Sequence, residues 1–474
     1  MTERIPRIVL VAGAIAVPIV LVLFAYLRPG YVTSELYVGG LLFVEFMIAA
    51  IWMFREVFFP LVLMAFLFSG LNLHVGSFWT VLRWVILAIG ALVGIIVMLR
   101  DGRYRLRLFH FVALFAVLAA LVSAAVSRYP SFAALKALSL FLLFVYCATG
   151  VRAAVAGREN RFFSGLLLGC EVLVSGITAG HLVGIEVMGN PNSLGAITGV
   201  VASPILLWGA MLEDSNFIRR RRLVLFGVCM FLVFYSLSRA GIAAAVLSCT
   251  LLCLCLRQYR MFILAATTIL IVAATTAIFW PEAASNGFSS VTSSVVYKGR
   301  DSVLGVFASR QSPWQNAMDT IRTHFWFGTG FGTTDNGAQA NAPLSAFSTD
   351  SSLSVENGSS FLAITTWVGM LGVLPFFLLL LILLGKVFRT MVWMLQNRSP
   401  LHPAVPLAMV MISGLVNAAF EDWLFAPGYY LCVFFWSMAF LLVDLEPAAP
   451  LFHARLSWRP SRVAEVAGSV APGR

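Results

Sequence analysis

Charge is what this chain has least of: Asp, Glu, Lys and Arg together make up 11% of the residues, and the mean hydropathy is +0.92. Soluble domains carry about 25% charged and about 45–50% apolar residues, whereas 60% of this sequence is hydrophobic. A soluble fold of 474 residues cannot hide that much apolar surface, so a helical membrane bundle must absorb nearly the whole length. Seven cysteines are present, all inside apolar segments, which excludes a disulfide framework. Cys253 and Cys255 point to different sides of a helix, which excludes a zinc pair there. The first apolar stretch, Ile8 to Leu27, lacks a small-residue cleavage site and reads as a transmembrane helix, not a removed signal peptide. An internal repeat of the kind that builds transporters from inverted halves is also missing. Acidic residues are few, 21 against 32 basic, giving a net charge of +11.

That excess of positive charge would suggest nucleic acid if it were spread over the surface, but its distribution points elsewhere. Apolar runs long enough to span begin near Ile8, Leu36, Val57, Trp79, Leu108, Phe132, Phe162, Leu194, Leu223, Gly241, Met261, Gly358, Pro403 and Ala426, about 12–14 spans in all. The run at Leu223 is short, and those at Val57 and Pro403 are the weakest. With the N-terminus inside, 23 of the 32 basic residues fall on inside connections, and the positive-inside rule then puts both termini in the cytoplasm. The net charge is therefore an orientation signal, with membrane lipid headgroups as its partner and no nucleic acid. The predicted fold class is all-α: a polytopic transmembrane bundle divided into residues 1–280, an outer loop over 281–357, a second part of the bundle over 358–444 and a cytoplasmic tail over 445–474.

The nine outward basic residues, which work against that rule, are the informative set: Arg28, Arg83, Arg128, Lys136, Arg239, Lys298, Arg300, Arg310 and Arg322. Arginines at the outer leaflet suit a lipid-linked diphosphate, because guanidinium grips phosphate oxygens in a fork without a metal; each one singly is equally consistent with a headgroup contact. Arg83 and Lys136 lie about one turn inside their spans, within snorkelling reach of the interface. Arg239 sits in Ser238-Arg239-Ala240-Gly241, where two apolar runs meet with almost no loop. The outer loop is polar, and a structureless loop that long is uncommon unless it is functional or disordered. Within it Ser312 and Pro313 read as an N-cap and first helical residue, after which Trp314, Ala317, Met318 and Ile321 recur at helical spacing. Arg310 precedes that helix start, where backbone N–H groups favour an anion.

Acids at the outer ends of spans complete the candidate set. Glu356, next to Asn357, is either a helix cap or, beside arginines in a partly dry cleft, a general base. Glu421 and Asp422 form a second pair, with Trp423 reading as an interfacial anchor. Glu45, Glu171 and His181 lie inside apolar runs and must face the bundle or a cavity. The turn Gly189-Asn190-Pro191-Asn192-Ser193 breaks two helices tightly. Gly328-Thr329-Gly330-Phe331-Gly332 mimics a nucleotide loop but follows no strand. No Asp-x-Asp pair or histidine cluster outside suggests a metal-bound sugar nucleotide, so an enzyme acting there needs an already activated donor.

These segments, Gly189 to Gly195, Ser238 to Gly241, Arg310 to Trp314, Gly328 to Gly332, and Asn357 with Gly369-Met370-Leu371-Gly372, make the sequence similar to the O-antigen ligase and Wzy-type polymerase superfamily of bacterial membrane glycosyltransferases. The resemblance covers roughly Met188 to Gly372. It implies a GT-C-like helical fold in the bacterial inner membrane and an active periplasmic face. It also implies inverting, metal-independent transfer of an undecaprenyl-diphosphate-linked oligosaccharide, with no cofactor beyond that donor. By the resemblance Arg239 and Arg310 match the family's diphosphate arginines and Glu356 stands where the family often has His. These three form the expected catalytic set; Arg83, Arg128, Lys136, Asn192, Arg300, Arg322 and Asn357 form the expected substrate-binding set. The expected acceptor is another repeat unit, as in exopolysaccharide polymerisation. Ligation to a lipopolysaccharide lipid A core, transfer to a protein side chain, and, from another class, a lipid-linked oligosaccharide flippase are the alternatives. Other polysaccharide-assembly proteins would be partners.

Overall fold

The structure, a computed structural model, describes residues 59–69, 78–101, 106–184, 187–188, 190–260, 308–333 and 357–447, with scattered residues between 263 and 279. Its described elements are helical. They are α1 (Phe59–Ser69), α2 (Phe78–Asp101), α3 (Leu108–Val126), α4 (Pro130–Val155), α5 (Glu159–Leu182), α6 (Pro191–Leu212), α7 (Asn216–Tyr235), α8 (Arg239–Cys255), α9 (Ala308–Thr323), α10 (Ser360–Asn397), α11 (Ala404–Ala418) and α12 (Tyr430–Leu445). Six of them, α2 to α6 and α10, are long and apolar enough to cross a bilayer, so the chain is a polytopic helical membrane bundle. The spans expected near Ile8 and Leu36, and Glu45, lie outside the described residues. All seven cysteines are free and buried.

The apolar run at Leu223 is short, as expected, but the helix that holds it is longer: α7 begins at Asn216 and carries Arg219 to Arg222 on its own first turns. The weak runs at Val57 and Pro403 both form helices, α1 and α11.

α6 is the axis of the bundle, with 94% of its apolar window enclosed by protein. Small residues let its neighbour α8 approach backbone to backbone. A Cβ on Gly241 would lie 2.5 Å from the Gly195 carbonyl oxygen, and one on Gly195 would lie 2.4 Å from Ser238 Cβ. This contact seats the Asn-Pro turn against the Ser-Arg-Ala-Gly turn. Each start is fixed locally: Asn190 accepts from the Asn192 N–H at 2.8 Å with Pro191 at the first helical position, and Ser238 Oγ accepts from the Gly241 N–H at 3.3 Å.

The described cross-helix ion pairs sort to opposite ends. At one end Arg152 is held by Asp444 and touches His110 at 3.1 Å, Glu171 takes Arg221 at 2.6 Å and Arg222 at 3.0 Å, and Glu446 takes Lys386 and Arg389. Arg152, Arg221, Arg222, Lys386 and Arg389, all assigned to the inside by charge counting, are thus partly neutralised by carboxylates of the bundle. Glu171 is one of those counter-ions, which gives it a structural task.

Three expectations about local structure are corrected. The helix of the polar loop starts at Ala308, so Pro313 lies inside α9 and Arg310 is in its first turn, not ahead of it; a proline this near the N-terminus removes a single ladder bond. Along that helix Ala317 is buried but Met318 is exposed. Trp423 is no interfacial anchor: it is 5% exposed, donates to Asn417 Oδ1 at 2.7 Å and meets Phe435 edge-on. Trp423→Phe should therefore lower stability by about 1–3 kcal/mol, the cost of orphaning a buried amide oxygen, read as a lower unfolding midpoint in detergent; an unchanged midpoint would contradict that role.

α10 is two helices in one. Gly369 breaks it at φ 67°, ψ −178°, a region open essentially to glycine alone. The freed backbone groups are satisfied by the glycine run of the polar segment. Thr329 and Gly330 N–H donate to the Thr366 and Trp367 carbonyls, both at 3.0 Å, while Met370 and Leu371 N–H donate to Phe325 and Trp326. Ser123 Oγ is within hydrogen-bond distance of both the Phe327 and Trp367 carbonyls. Irregular backbone at membrane depth survives only when enclosed in this way, and the glycines are what allow the approach: a Cβ on Gly328 or Gly330 would come within 2.4 Å of Trp367 or Ser127 atoms.

Candidate functional site

At the end opposite the Arg152 network, five separate stretches meet. Arg310, in the first turn of α9, donates from Nη2 to Glu421 Oε1 at 2.6 Å, with both side chains mostly buried. Trp314, one turn on, donates from Nε1 to the Gly358 carbonyl at 3.2 Å. Gly358 has φ +66°, and a Cβ there would crowd Arg310, Pro313 and Trp314 at 3.3 Å each, so the segment before α10 lies flat on α9. Ser360 ties that segment to the loop between α11 and α12: its N–H and Oγ both donate to the Glu421 carbonyl, at 3.0 and 2.6 Å. Asn357 N–H donates to Asp422 Oδ2 at 3.1 Å.

The same loop reaches the Asn-Pro turn. Tyr430 OH donates to the Ser193 carbonyl at 3.1 Å, and Tyr429 OH lies 3.2 Å from both Ser193 Oγ and Tyr430 OH. Burial raises the Tyr429 phenol above its ordinary pKa; hydrogen bonds with Ser193 and Tyr430 oppose this and the nearby carboxylates of Glu421 and Asp422 add to it, so the hydroxyl stays protonated as a donor. Arg83 Nη1 donates to the Gly428 carbonyl at 2.8 Å, with its guanidinium beside the Phe66 and Trp84 rings.

Arg239 opens α8 against the Asn-Pro turn; burial lowers the pKa of its guanidinium, and the Arg310 charge lowers it further. Two guanidiniums that act on each other repel; Glu421 offsets part of that charge at Arg310, and a multiply charged anion would relieve more of it.

Of the residues expected from sequence, Arg239 and Arg310 are thus brought together, with Asn357, Arg83 and the Asn192 turn attached through backbone contacts. Lys136 serves a neighbouring cluster: its Nζ donates to the Gly332 carbonyl at 2.6 Å and lies over Phe132, fixing the glycine run beside Ser127 and Thr333. Arg128 is exposed and stacks on Tyr129. Arg322 is 77% exposed and pairs with Asp319 on its own helix, away from the cleft. Arg322→Ala should leave turnover within about twofold, as expected for a solvated i,i+3 pair; a large loss in a transfer assay would return it to the site. Glu356 and Arg300 lie outside the described residues. The sequence pairs Glu421 with Asp422 but does not connect either to Arg310, names Ser193 only as part of a turn, and gives no sign of Tyr429 and Tyr430; the available signal is the charge opposite to Arg310 at the same predicted end.

Fold and site define a polytopic helical membrane protein with a largely shielded Arg310–Glu421 pair and several tied hydroxyls gathered at one end of its bundle. A family model described as O-antigen ligase, Wzy_C, matches residues 223–377, the stretch that holds Arg239, Arg310, the glycine run and the Gly369 break. That match bears out the superfamily resemblance read from the chain's motifs. No curated protein matches the chain.

Proposed function

We propose that the protein transfers an oligosaccharide from undecaprenyl diphosphate to an acceptor hydroxyl on the periplasmic face of the bacterial inner membrane, extending a surface or exopolysaccharide by whole repeat units. The observation that carries this reading is Arg310 held on the largely shielded Glu421 carboxylate at 2.6 Å, at the end opposite the Arg-rich connections, with Arg239 near enough to feel its charge. In the proposed reaction the acceptor oxygen attacks the anomeric carbon and the bond from that carbon to the diphosphate oxygen breaks with inversion. The electron pair leaves on the diphosphate, neutralised by the two guanidiniums in place of a metal. Glu356 takes the acceptor proton. Residues 281–357 then act as the periplasmic loop that delivers Arg310 and Glu356 to a cleft built by the two parts of the bundle.

The description of the matched family favours a second reading, in which the acceptor is a lipid A core. Incubating the purified protein with a synthetic lipid-diphosphate repeat unit, with and without lipid A core, separates the possibilities. Longer glycans from donor alone support the polymerase; product only with lipid A core supports the ligase. No covalent product under either condition would favour the flippase and overturn the enzymatic reading.

A further inference from the structure

Glu421 stands where three constraints converge. Its carbonyl is held by both the N–H and the Oγ of Ser360, and Ser360 Oγ in turn accepts from the Leu424 N–H at 3.0 Å. Its neighbour Asp422 is held by Asn357. The carboxylate is therefore mounted on backbone clamped to the start of α10. Arg310, by contrast, arrives on a helix of the long polar segment, and its contact with this carboxylate is short and largely shielded, at 2.6 Å with side chains 13% and 16% exposed. A charge-assisted bond in such a setting fixes orientation in a way that a solvated surface pair does not. Arg239 supplies the complementary argument: its charge and that of Arg310 act on each other, and a fixed carboxylate beside Arg310 lowers the cost of holding both.

We infer that Glu421 is a positioning residue, one that sets the Arg310 guanidinium at the angle from which it receives the departing diphosphate and that acts on the reaction only through Arg310. The inference rests on the reading of Arg310 as a diphosphate ligand. It assigns the carboxylate no contact with substrate. The acid oxygen works as a stationary acceptor, so an amide oxygen at the same place does most of the same work.

The test is a double-mutant cycle on the full-length protein in nanodiscs, with a synthetic undecaprenyl-diphosphate repeat unit as donor and initial rates measured across donor concentration. Glu421→Ala should lower kcat by about 10–100-fold, the scale of a misaligned catalytic group, without raising the donor KM. Glu421→Gln should recover most of that loss. Combined with Arg310→Ala, Glu421→Ala should cost nothing further, because a residue that acts through another has no effect once that partner is gone. Losses that multiply, or a Gln variant as slow as the Ala variant, overturn the positioning role. Should Glu421→Ala fail to insert, Glu421→Asp, which withdraws the carboxylate by one methylene, takes its place in the cycle with Arg310→Ala, and multiplying losses contradict the inference there too. An Arg310→Ala protein with full activity removes the diphosphate reading itself and this inference with it, whereas an impaired Arg310→Ala whose loss multiplies with that of Glu421→Ala removes the positioning role alone.

Discussion

Arg239→Ala is expected to make essentially no glycan product while inserting and folding as the wild type does, a loss of about 10²–10³ in rate for one charged contact to a transition state. Arg239 occupies the first position of α8 and is held at the cleft because Gly241 and Ser238 press against Gly195. Its backbone position is thus set by packing that does not involve the guanidinium, which is why removing the side chain should spare the fold. Arg239→Lys tests the chemistry more finely. Lysine keeps the charge but offers a point donor in place of a planar fork, so partial activity is expected, well below wild type. Product yield is measured by gel or mass analysis of glycan length, with protein amount normalised by quantitative blotting of membranes. Wild-type yield from a well-expressed Arg239→Ala protein would remove the guanidinium from the mechanism.

Gly369→Ala should be nearly as damaging for a different reason. A Cβ at this position would lie 2.4 Å from the backbone of Trp326, and the φ of +67° is itself strained for any L-residue. The backbone conformation alone costs about 1–3 kcal/mol, and the clash forces the segment from Phe325 to Gly330 out of the break it fills. That segment leads directly from α9, so Arg310 should lose its seat as well, and activity should fall with stability although Gly369 is not a cleft residue. Gly385, further along α10, has open space where a Cβ would go. Gly385→Ala should leave the unfolding midpoint unchanged or raise it slightly, since alanine is favoured over glycine in a helix interior by about 1 kcal/mol. A detergent-solubilised thermal melt of the two variants decides the matter: equal midpoints would mean that the break is not a structural requirement.

Much of the architecture was legible in the sequence because hydrophobic runs of bilayer length leave few alternatives. The described helices match runs beginning near Val57, Trp79, Leu108, Phe132, Phe162, Leu194, Leu223, Gly241, Gly358, Pro403 and Ala426, and the contact between the two turn motifs follows from the glycines within them. Helix starts were less legible. α7 extends back through Arg219 to Arg222, which an apolar-run reading excludes, although arginine is a good helix former and Glu171 and Glu213 neutralise Arg222. The break at Gly369 was hidden because a glycine in an apolar run looks like an ordinary small residue until the segment that fills the gap is seen. The link from Arg310 to Glu421 spans 111 residues and rests on tertiary contact alone. Trp423 shows the reverse error: position near a span end suggested the interface, but its N–H found a buried partner in Asn417.

The most direct measurement is cysteine labelling next to Arg310 in intact cells and inverted vesicles. Gln311 is exposed and adjacent to the guanidinium, and the seven native cysteines are all buried, which keeps background low. Gln311→Cys should react with a membrane-impermeant maleimide from the periplasmic side only, and undecaprenyl diphosphate should slow that reaction while undecaprenyl monophosphate slows it far less. Asn397→Cys, exposed at the far end of α10, should react only from the cytosolic side. Labelling of Gln311→Cys from the cytosol alone, or at a rate indifferent to the diphosphate lipid, would contradict a diphosphate cleft that opens to the periplasm.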